Sequence, residues 1–476
     1  MRKALYVMVL WAAGAQAGQC PVTPAQLPDF DNADVYSAEA FTITARNAQG
    51  MLSHRGELWL DARYSEVTAL GEDVLLAKKA KGGFVLTDTR TGKQADVPYQ
   101  VYVPHMQNGL LQVSDGDLNG FMDRTGKLVV PLQFSSILRF SEGLAAVQQD
   151  GKWGYINAQG KQVLPVQYDH VYPFYEARSV VKKDGQWQII DQQGQTIATL
   201  PYAGVSYLKG GYAAVFNGDP LAEDEAQSAR WGVIDRDGRE VLPPRYEEVG
   251  FSGYYFAQGE DTPVASEGMI AVKENGLWGF ANVAGKVIVP PRYAGAAYPF
   301  VQGLAVVEDN EGMKGLVNQS GEELVPPTFA QIYTEDQQTI PDSGLIVLSD
   351  SKIEGGGNQV WVREKAKMMA SVYTNVLPVG KGLLAVEAKE GHGWTLYSSE
   401  GTELTPVSYQ WINTFAQGLA AAQRDEKWGY IDETGKEVLA IQYEAVTPFQ
   451  GDRALVKKDG RWQLIDRAGC VLATQP

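Results

Sequence analysis

The chain has 476 residues and a formal net charge of −16 at pH 7. An acidic surface of this size repels nucleic acid and anionic membranes, so we expect neither as a partner. The four histidines share no metal-binding spacing, and no catalytic arrangement stands out in the linear order. We therefore expect no cofactor and no enzymatic activity. The histidines are His54, His105, His170 and His392.

The N-terminus has the features of an export signal. Arg2 and Lys3 precede the apolar stretch 4–13, and Ala15-Gln16-Ala17 is a typical cleavage site. We predict that residues 1–17 are a signal peptide and that the mature protein is periplasmic or secreted, with a net charge of −18 once both basic residues are removed. The apolar stretch is too short for a stable anchor, and no other segment is long and apolar enough to span a membrane.

After a lead segment at 18–39, the chain repeats itself to residue 476. Gly follows each repeat Trp by seven residues, and Tyr follows by fifteen. The Trp and Trp-Gly positions that mark the copies are Trp153, Gly154, Trp187, Trp231, Gly232, Trp278, Gly279, Trp394, Trp428, Gly429 and Trp462. The same offsets locate copies without Trp at Gln49, Val85, Asn119, Lys314 and Asn358. We predict about 10–12 repeats in the region 40–476.

Most repeats are 34 residues long, and the longer ones carry polar or Gly-rich insertions. The insertions lie near 217–229, 258–268 and 334–357. Insertions confined to one point of a repeat usually form loops on one face, which is often the binding face.

The sequence pattern within a repeat indicates strands. Each copy contains glycines and often a proline, which break helices, and its apolar residues alternate in short runs. Asp150-Gly151 and its equivalents predict tight hairpins. We expect a strand, an Asp-Gly turn, the Trp strand, a Gly-Lys turn, a strand that ends at Leu-Pro, and a short segment through Tyr.

The predicted fold class is all-β: a tandem array of short antiparallel β units of about 34 residues. A propeller-like ring and a superhelical β-solenoid both fit this pattern, and the choice stays open. We expect the repeat Trp to lie in the core and to pack on the neighbouring unit. The Gly after it is expected to allow a close backbone approach.

The motif in Gly151-Lys152-Trp153-Gly154-Tyr155-Ile156-Asn157 returns as Glu426-Lys427-Trp428-Gly429-Tyr430-Ile431-Asp432. It resembles the WG (or KWG) repeat of bacterial proteins, and the resemblance extends over roughly residues 40–476. The resemblance implies β-rich tandem repeats. It implies no particular activity, because that family has no established common substrate or catalytic residue.

The two cysteines, Cys20 and Cys470, lie at opposite ends of the mature chain. Cysteines of exported proteins tend to pair, and a disulfide between these two would bring the ends of the array together. Pairing within one chain, bridging between two chains and two free thiols are all open at this point.

One segment resembles a metal-binding loop. Asp115, Asp117 and Asn119 match the first half of a calcium loop, with Gly120 at the sixth position. Gly126 stands at the twelfth position, where a bidentate Glu is expected. The repeat register places the same segment on an ordinary hairpin turn, so the calcium site is the weaker hypothesis.

From these features we expect a non-catalytic binding scaffold of the cell envelope or extracellular space, which recognises a protein or peptide partner through the array surface. The alternative is a glycan or cell-wall binding module that uses exposed aromatic residues, with 254–256 and Trp411 as candidates. A hydrolase with a site in the inserted loops is a third, weaker hypothesis.

Overall fold

The computed structural model describes residues 20, 24–37, 39–71, 73–219, 229–251, 263–295, 297–333, 344–350, 357–369, 373–380, 382–387, 393–405 and 407–476. The predicted signal peptide 1–17, the aromatic candidates 254–256, His392 and most of the three insertions lie outside these residues.

In chain order the first strands are β1 (Ala25–Gln26), β2 (Asn32–Ser37), β3 (Ala40–Ala45), β4 (Ala48–Ser53), β5 (Leu58–Gly71), β6 (Val74–Lys79), β7 (Phe84–Asp88), β8 (Gln94–Val97), β9 (Leu110–Ser114), β10 (Asn119–Asp123), β11 (Leu128–Phe134), β12 (Ser136–Ile137), β13 (Leu144–Gln149), β14 (Lys152–Asn157), β15 (Gln162–Tyr168), β16 (His170–Val171), β17 (Arg178–Lys183), β18 (Gln186–Asp191), β19 (Thr196–Leu200), β20 (Gly204–Val205), β21 (Tyr212–Asn217), β22 (Arg230–Asp235) and β23 (Glu240–Tyr246).

The remaining strands are β24 (Glu248–Val249), β25 (Met269–Glu274), β26 (Leu277–Asn282), β27 (Val287–Tyr293), β28 (Leu304–Glu308), β29 (Lys314–Asn318), β30 (Glu323–Phe329), β31 (Gln331–Tyr333), β32 (Leu345–Asp350), β33 (Gly357–Val362), β34 (Lys367–Met368), β35 (Val376–Gly380), β36 (Leu383–Glu387), β37 (Trp394–Ser398), β38 (Trp411–Ile412), β39 (Leu419–Arg424), β40 (Lys427–Asp432), β41 (Glu437–Tyr443), β42 (Ala445–Val446), β43 (Arg453–Lys458), β44 (Arg461–Asp466) and β45 (Val471–Thr474). A single turn of 3₁₀ helix covers Arg363–Lys365.

The chain divides into two compact parts, and we describe each by itself. The terminal part contains residues 1–62 and 408–476, and the larger part contains residues 63–407. Most sheets in both parts have three or four antiparallel strands in chain order, and the last sheet also includes β1, which pairs in parallel with β45. The predicted fold class, an all-β tandem array of short antiparallel units, is therefore confirmed.

The sheet β12-β13-β14-β15 shows the common plan. It begins with a two-residue strand, continues with two six-residue strands that form a hairpin, and ends with a seven-residue outer strand. The short first strand follows the Tyr or Phe of the preceding sequence repeat. Each sheet therefore combines residues from two successive sequence repeats, which ties neighbouring repeats together covalently.

The Asp-Gly turns have the predicted hairpin geometry. Asp150 and Gly151 connect β13 to β14 with φ angles of 50° and 78°, and Asp184 and Gly185 connect β17 to β18 with 50° and 80°. Two consecutive positive φ angles define a type I′ turn, whose twist matches that of the flanking strands.

The predicted end of the third strand at Leu-Pro is wrong. Strand β15 continues through Pro165 to Tyr168, and Tyr168 pairs directly with Trp153. A register shift separates this pair from the pair Tyr155–Leu164, so β15 bulges towards Gly154. A Cβ atom on Gly154 would lie 2.8 Å from the backbone N of Val166, so only glycine fits there.

The repeat position assigned to Val85 is also shifted by one residue. Phe84 pairs with Val97, which is the arrangement that Trp187 has with Leu200. The turn that follows β7 is one residue longer than in other repeats, because the Asp88 N–H donates to Lys93 O five residues later. The fixed offset to Gly92 therefore misplaced the register.

The hydrophobic cores lie between successive sheets. One core joins Tyr155, Leu164 and Tyr168 of one sheet to Val181 and Ile190 of the next. A second joins residues of β21–β23 to residues of β24–β26 in the same way. Because both faces of a sheet are buried, the central strands have nearly continuous apolar sequences.

A second set of tight turns lies directly before the strands β13 and β25 and contains Glu142 and Glu267. These turns link successive sheets by hydrogen bonds. The Glu142 carboxylate accepts hydrogen bonds from the Ala177 N–H at 2.8 Å and from Gln192 Nε2 at 3.3 Å. The Glu267 carboxylate accepts hydrogen bonds from the Gln302 and Gly303 N–H groups, each at 2.7 Å. These contacts fix the spacing of neighbouring turns along the larger part.

In the terminal part the two ends of the chain meet. Cys20 and Cys470 form a disulfide across 450 residues of sequence. Strand β1 pairs in parallel with the last strand β45, with Ala25 opposite Ala473. The Gln475 side chain donates to the carbonyl oxygens of Pro28 and Phe30, which holds the segment after β1 against the last sheet.

We expect that replacing Cys20 and Cys470 with serine lowers the free energy of unfolding of the terminal part by up to about 5 kcal/mol, because the unfolded chain loses a long cross-link. Hydrogen exchange should quicken at the Leu27 N–H, which donates to Thr474 O. A single serine variant is the matched control and should behave like the double variant. Unchanged exchange at Leu27 would show that β1 docks without the disulfide.

The turn between β39 and β40 offers a stabilising substitution. Asp425 and Glu426 have φ angles of 51° and 60°, so Glu426 holds a left-handed conformation at the position where Gly151 stands in the equivalent turn. We expect Glu426→Gly to stabilise the protein by up to about 1 kcal/mol, because glycine adopts this conformation without strain. Thermal unfolding measures the effect. The reciprocal variant Gly151→Glu should lower the midpoint, and a lower midpoint in Glu426→Gly would contradict the argument.

Candidate binding surface

The repeat Trp residues lie at the rim of the cores and are less uniformly buried than we expected. Trp231, Trp278 and Trp462 are buried, whereas Trp153, Trp187, Trp394 and Trp428 are half-buried. Their place in the strand is the same: Trp153 and the buried Trp278 each lie two residues after the glycine of a hairpin turn. The difference in burial therefore comes from what surrounds each ring. The indole of Trp462 donates to Asp31 O at 3.0 Å.

The residue two positions after Trp is the central core residue. Tyr155 and Tyr430 have 0 % exposure, and Phe280 has 1 %. The Tyr155 hydroxyl donates to the carbonyl of Tyr172 at 2.8 Å, and the Tyr430 hydroxyl donates to the carbonyl of Thr447 at 2.7 Å. These bonds connect each sheet to the segment that leads into the next one.

An extended group of accessible aromatic rings spans two successive sequence repeats in the larger part. We call it the aromatic cluster; its members are His170, Tyr172, Tyr175, Trp187 and Tyr207. The centroids of Tyr172 and Trp187 lie 6.3 Å apart with nearly parallel planes, and the Tyr207 centroid lies 6.0 Å from that of Tyr172 and 6.1 Å from that of Tyr175. His170 is exposed, and the other four are half-buried.

Hydrogen bonds to the next repeat occupy polar atoms at the base of the cluster. Trp187 Nε1 donates to Ala203 O at 3.2 Å, and the Tyr172 hydroxyl donates to Val205 O at 3.3 Å. Burial raises the pKa of Tyr172 to about 12, so its hydroxyl stays protonated. The accessible remainder of these two rings is apolar, which suits contact with another apolar surface.

Cations flank the cluster. Lys182 Nζ lies 5.3 Å from the Trp187 ring centroid, and Arg139 Nη2 donates to the Tyr175 hydroxyl at 3.2 Å. Partial burial of the imidazole, and secondarily the Lys182 ammonium, lower the pKa of His170, so this ring is neutral at pH 7. Rings combined with Lys and Arg form a surface that can attract a partner by stacking and cation–π contact.

The structure places the calcium candidates on a turn and a strand. The Asp115 carboxylate accepts the N–H groups of Asp117 and Leu118 at 3.0 and 2.8 Å, and these bonds lower its pKa. The Asn119 amide donates to the carbonyl oxygens of Phe134 and Ser135 in the neighbouring strand region. Within the described ranges no group of three His, Cys, Asp or Glu side chains is arranged to hold a metal ion.

One open pocket lies beside the outer strand β8. Its lining includes Arg63, Lys79 and Asp96. The Arg63 guanidinium carbon lies 5.4 Å from the Tyr64 ring centroid, and Lys79 Nζ is 2.5 Å from the Asp96 carboxylate. The charged groups that line this pocket already pair with one another, so it is a weaker candidate than the aromatic cluster.

The sequence-based binding candidates, 254–256 and Trp411, are not members of the observed cluster, and Trp187 was predicted only as a structural core residue. Trp411 is 42 % exposed and lies in the terminal part, whereas the cluster residues belong to the larger part. Tyr172 and Tyr207 were missed because they occupy loops between strands, where the repeat offsets carry no information. The sequence feature that could have revealed them is the high density of aromatic residues in 168–212.

Six stretches match the model of the WG containing repeat: residues 120–153, 153–187, 231–258, 278–312, 394–428 and 428–462. The chain carries WG repeats. The copies at Lys314 and Asn358 are not among the matched stretches, yet their sheets keep the Trp–Tyr register of the WG repeats, with Lys314 opposite Phe329 and Asn358 opposite Tyr373. None of the curated proteins is similar enough to this chain to be matched.

Among solved structures, BamB from Moraxella catarrhalis matches with 14% identity and a TM-score of 0.29, over 62% of this chain and 98% of BamB. A eukaryotic initiation factor matches with 10% identity and a TM-score of 0.37, over 77% and 95% of the two chains. The extracellular domain of a putative one-component system, BT4673, from B. thetaiotaomicron matches with 10% identity and a TM-score of 0.22, over 92% and 75%. At these TM-scores the likenesses carry no further conclusion.

In the part of the chain that the structure describes, no helix has the length and apolar character needed to cross a membrane. The Cys20–Cys470 disulfide is compatible with an exported protein.

The different burial of neighbouring aromatic positions in one WG repeat gives a test. We expect Tyr155→Ala to lower the free energy of unfolding by about 3–5 kcal/mol, as truncation of a buried aromatic ring does, and Trp153→Ala to cost about 2 kcal/mol or less. Guanidinium denaturation followed by circular dichroism measures both. Equal decreases in the free energy of unfolding of the two variants would show that the Trp153 ring stabilises the protein as much as the Tyr155 ring does.

Proposed function

We propose that this WG-repeat chain is a non-catalytic binding scaffold that is exported to the cell envelope or the extracellular space and recognises a protein or peptide partner. The aromatic cluster is the observation that carries the proposal. Tyr, Trp and Arg are the residues that contribute most to hot spots of protein interfaces, and here Tyr175, Trp187 and Arg139 lie together on a framework of strands.

The rigidity of the cluster supports the same proposal. Trp187 and Tyr172 are each held by a hydrogen bond to the next repeat, so little side-chain entropy is lost when a partner binds. The acidic overall charge adds long-range attraction for basic partners.

A glycan or cell-wall polysaccharide is the second candidate partner. Accessible rings such as those of Tyr207 and Tyr175 stack on the apolar faces of sugars as well as on protein side chains. The experiment must therefore separate the two classes of partner.

The first measurement is affinity capture from an envelope extract with immobilised residues 18–476, before and after digestion of wall polysaccharide. We expect a discrete protein to be recovered in both conditions. Retention of polysaccharide alone, lost on digestion, would favour the glycan-binding candidate. Recovery of neither class would contradict the scaffold proposal.

The aromatic cluster is tested with the recovered protein. We expect the double variant Tyr175→Ala/Tyr207→Ala to reduce affinity at least tenfold, because two hot-spot rings are removed from the contact. Tyr102→Ala, which removes a ring that is 65 % exposed outside the cluster, is the matched control and should bind normally. Titration calorimetry measures both. Unchanged affinity in the double variant would place the contact elsewhere on the array.

A further inference from the structure

Two of the WG repeats differ from the others in the same way. Trp187 and Trp462 are followed by Gln instead of Gly, and their outer strands have closely similar sequences, Thr196-Ile197-Ala198-Thr199 and Val471-Leu472-Ala473-Thr474. The two outer strands also pair with the Trp strands β18 and β44 in the same register. Gln188 pairs with Thr199 and Ile189 pairs with Ala198, as Gln463 pairs with Thr474 and Leu464 with Ala473. We call the two outer strands, β19 and β45, the equivalent edges.

The edge of β45 is covered by another segment of the chain. Strand β1 lies alongside it in parallel, with Ala25 opposite Ala473 and Gln26 opposite Thr474. The Leu27 N–H donates to the Thr474 carbonyl at 2.9 Å. This added strand buries Ala473 to 4 % exposure. The molecule thus shows directly that an edge of this type accepts an extended peptide.

The edge of β19 lacks such a cover. Strand β19 is the last strand of its sheet, and within the described residues no strand lies on its outer side. Ala198 is half-buried where Ala473 is buried, Thr199 is exposed, and Ile197 is 39 % exposed. The pairing of β19 with β18 is regular from Ala198 to Leu200, and a register shift separates this stretch from Thr196. An uncharged and accessible edge is the kind of strand that accepts pairing with another chain.

Other outer strands carry features that oppose pairing. Strands β15, β23, β27 and β30 contain proline, which removes a backbone donor, and they bulge opposite the repeat glycine. In β8 the residue equivalent to Thr199 is the charged Asp96, which pairs with Lys79. Strand β19 has neither proline nor charge.

We propose that the β19 edge is a docking site for an extended peptide segment of a partner, which adds as a parallel strand opposite Ala198 and Thr199. This inference rests on the proposed function and specifies the site and the conformation of the bound partner. Main-chain hydrogen bonds to the outward-facing groups of Thr199 supply the contact, and uncharged side chains like those of Ala25 and Gln26 fit beside the strand.

One difference between the equivalent edges defines what the partner needs. In the terminal part a Cβ atom on Gly56 would meet Leu464 and Leu27, whereas at β19 a Cβ atom on the equivalent Gly238 would meet Ala198 at 2.6 Å and Leu200 at 3.3 Å. Residues of β19 itself therefore lie beside this glycine, where Leu27 lies at the other edge. The partner segment binds β19 through its backbone and does not require a leucine at this position.

The native disulfide suggests the experiment. Cys470 precedes β45, and Gln195 holds the equivalent position before β19, with the same turn hydrogen bonds to Asp466 and Asp191 respectively. The variant Gln195→Cys is incubated with a synthetic peptide of residues 19–30, which carries Cys20 and the β1 sequence, in a thiol–disulfide buffer. Mass spectrometry then quantifies the mixed disulfide. Wild-type protein gives the background.

We expect Gln195→Cys to capture this peptide at least tenfold more than a scrambled peptide with the cysteine in the same place. Adding Thr199→Pro should abolish the preference, because proline removes the outward N–H while leaving the pairing with β18 intact. Arg239→Cys, at the same position before the proline-containing β23, is the matched control and should show no preference. A peptide in which Leu27 is replaced by serine should be captured as well as the original.

Three outcomes would overturn the proposal: equal capture of native and scrambled peptides, equal capture by Arg239→Cys, or no effect of Thr199→Pro. A concentration-dependent dimer that Thr199→Pro abolishes would assign the edge to a second copy of the chain instead. The scaffold function is tested separately. If the partner recovered from the envelope still binds Thr199→Pro with unchanged affinity, the scaffold stands and the β19 edge is excluded.

Discussion

The packing of each sheet against the next is the constraint on which this molecule depends. A sheet of about 34 residues buries little by itself, and its apolar residues find a core only between two successive sheets, as Tyr155 and Leu164 do against Val181 and Ile190. The covalent arrangement strengthens this dependence, since each sheet takes its first strand from the preceding sequence repeat. Stability is therefore a property of neighbouring pairs, and the aromatic cluster, which spans two sequence repeats, exists only when those repeats are packed together.

The local rules of the repeat were predictable because they are set by neighbouring residues. Asp150-Gly151 predicted a type I′ turn, and the fixed distance from Trp153 to Tyr168 proved to be a cross-strand pair around a bulge. The burial of the Trp positions was not predictable, because it depends on how far the adjacent sheet extends towards the rim. For the same reason the sequence did not reveal Tyr207 beside Tyr172, since their contact comes from packing between repeats.

The register also explains why the Gly after Trp is not universal. Where Gly154 stands, the outer strand approaches its Cα closely, and two register shifts interrupt the pairing of β14 with β15. Where Gln188 stands, the outer strand pairs without a shift from Ala198 to Leu200, so a side chain fits at this position.

The pairing of β1 with β45 has a consequence for the order of folding. The last sheet is complete only when residues 471–474 meet residues 25–26, which are among the first to be synthesised. The N-terminal strand must therefore remain unpaired until the C-terminal strand is available, and the disulfide beside this pairing spans 450 residues. Closure of such a distant contact is slow compared with hairpin formation. A chain that lacks residues 471–474 leaves β1 without its partner strand, so the backbone groups of β1 are open to pairing with other chains.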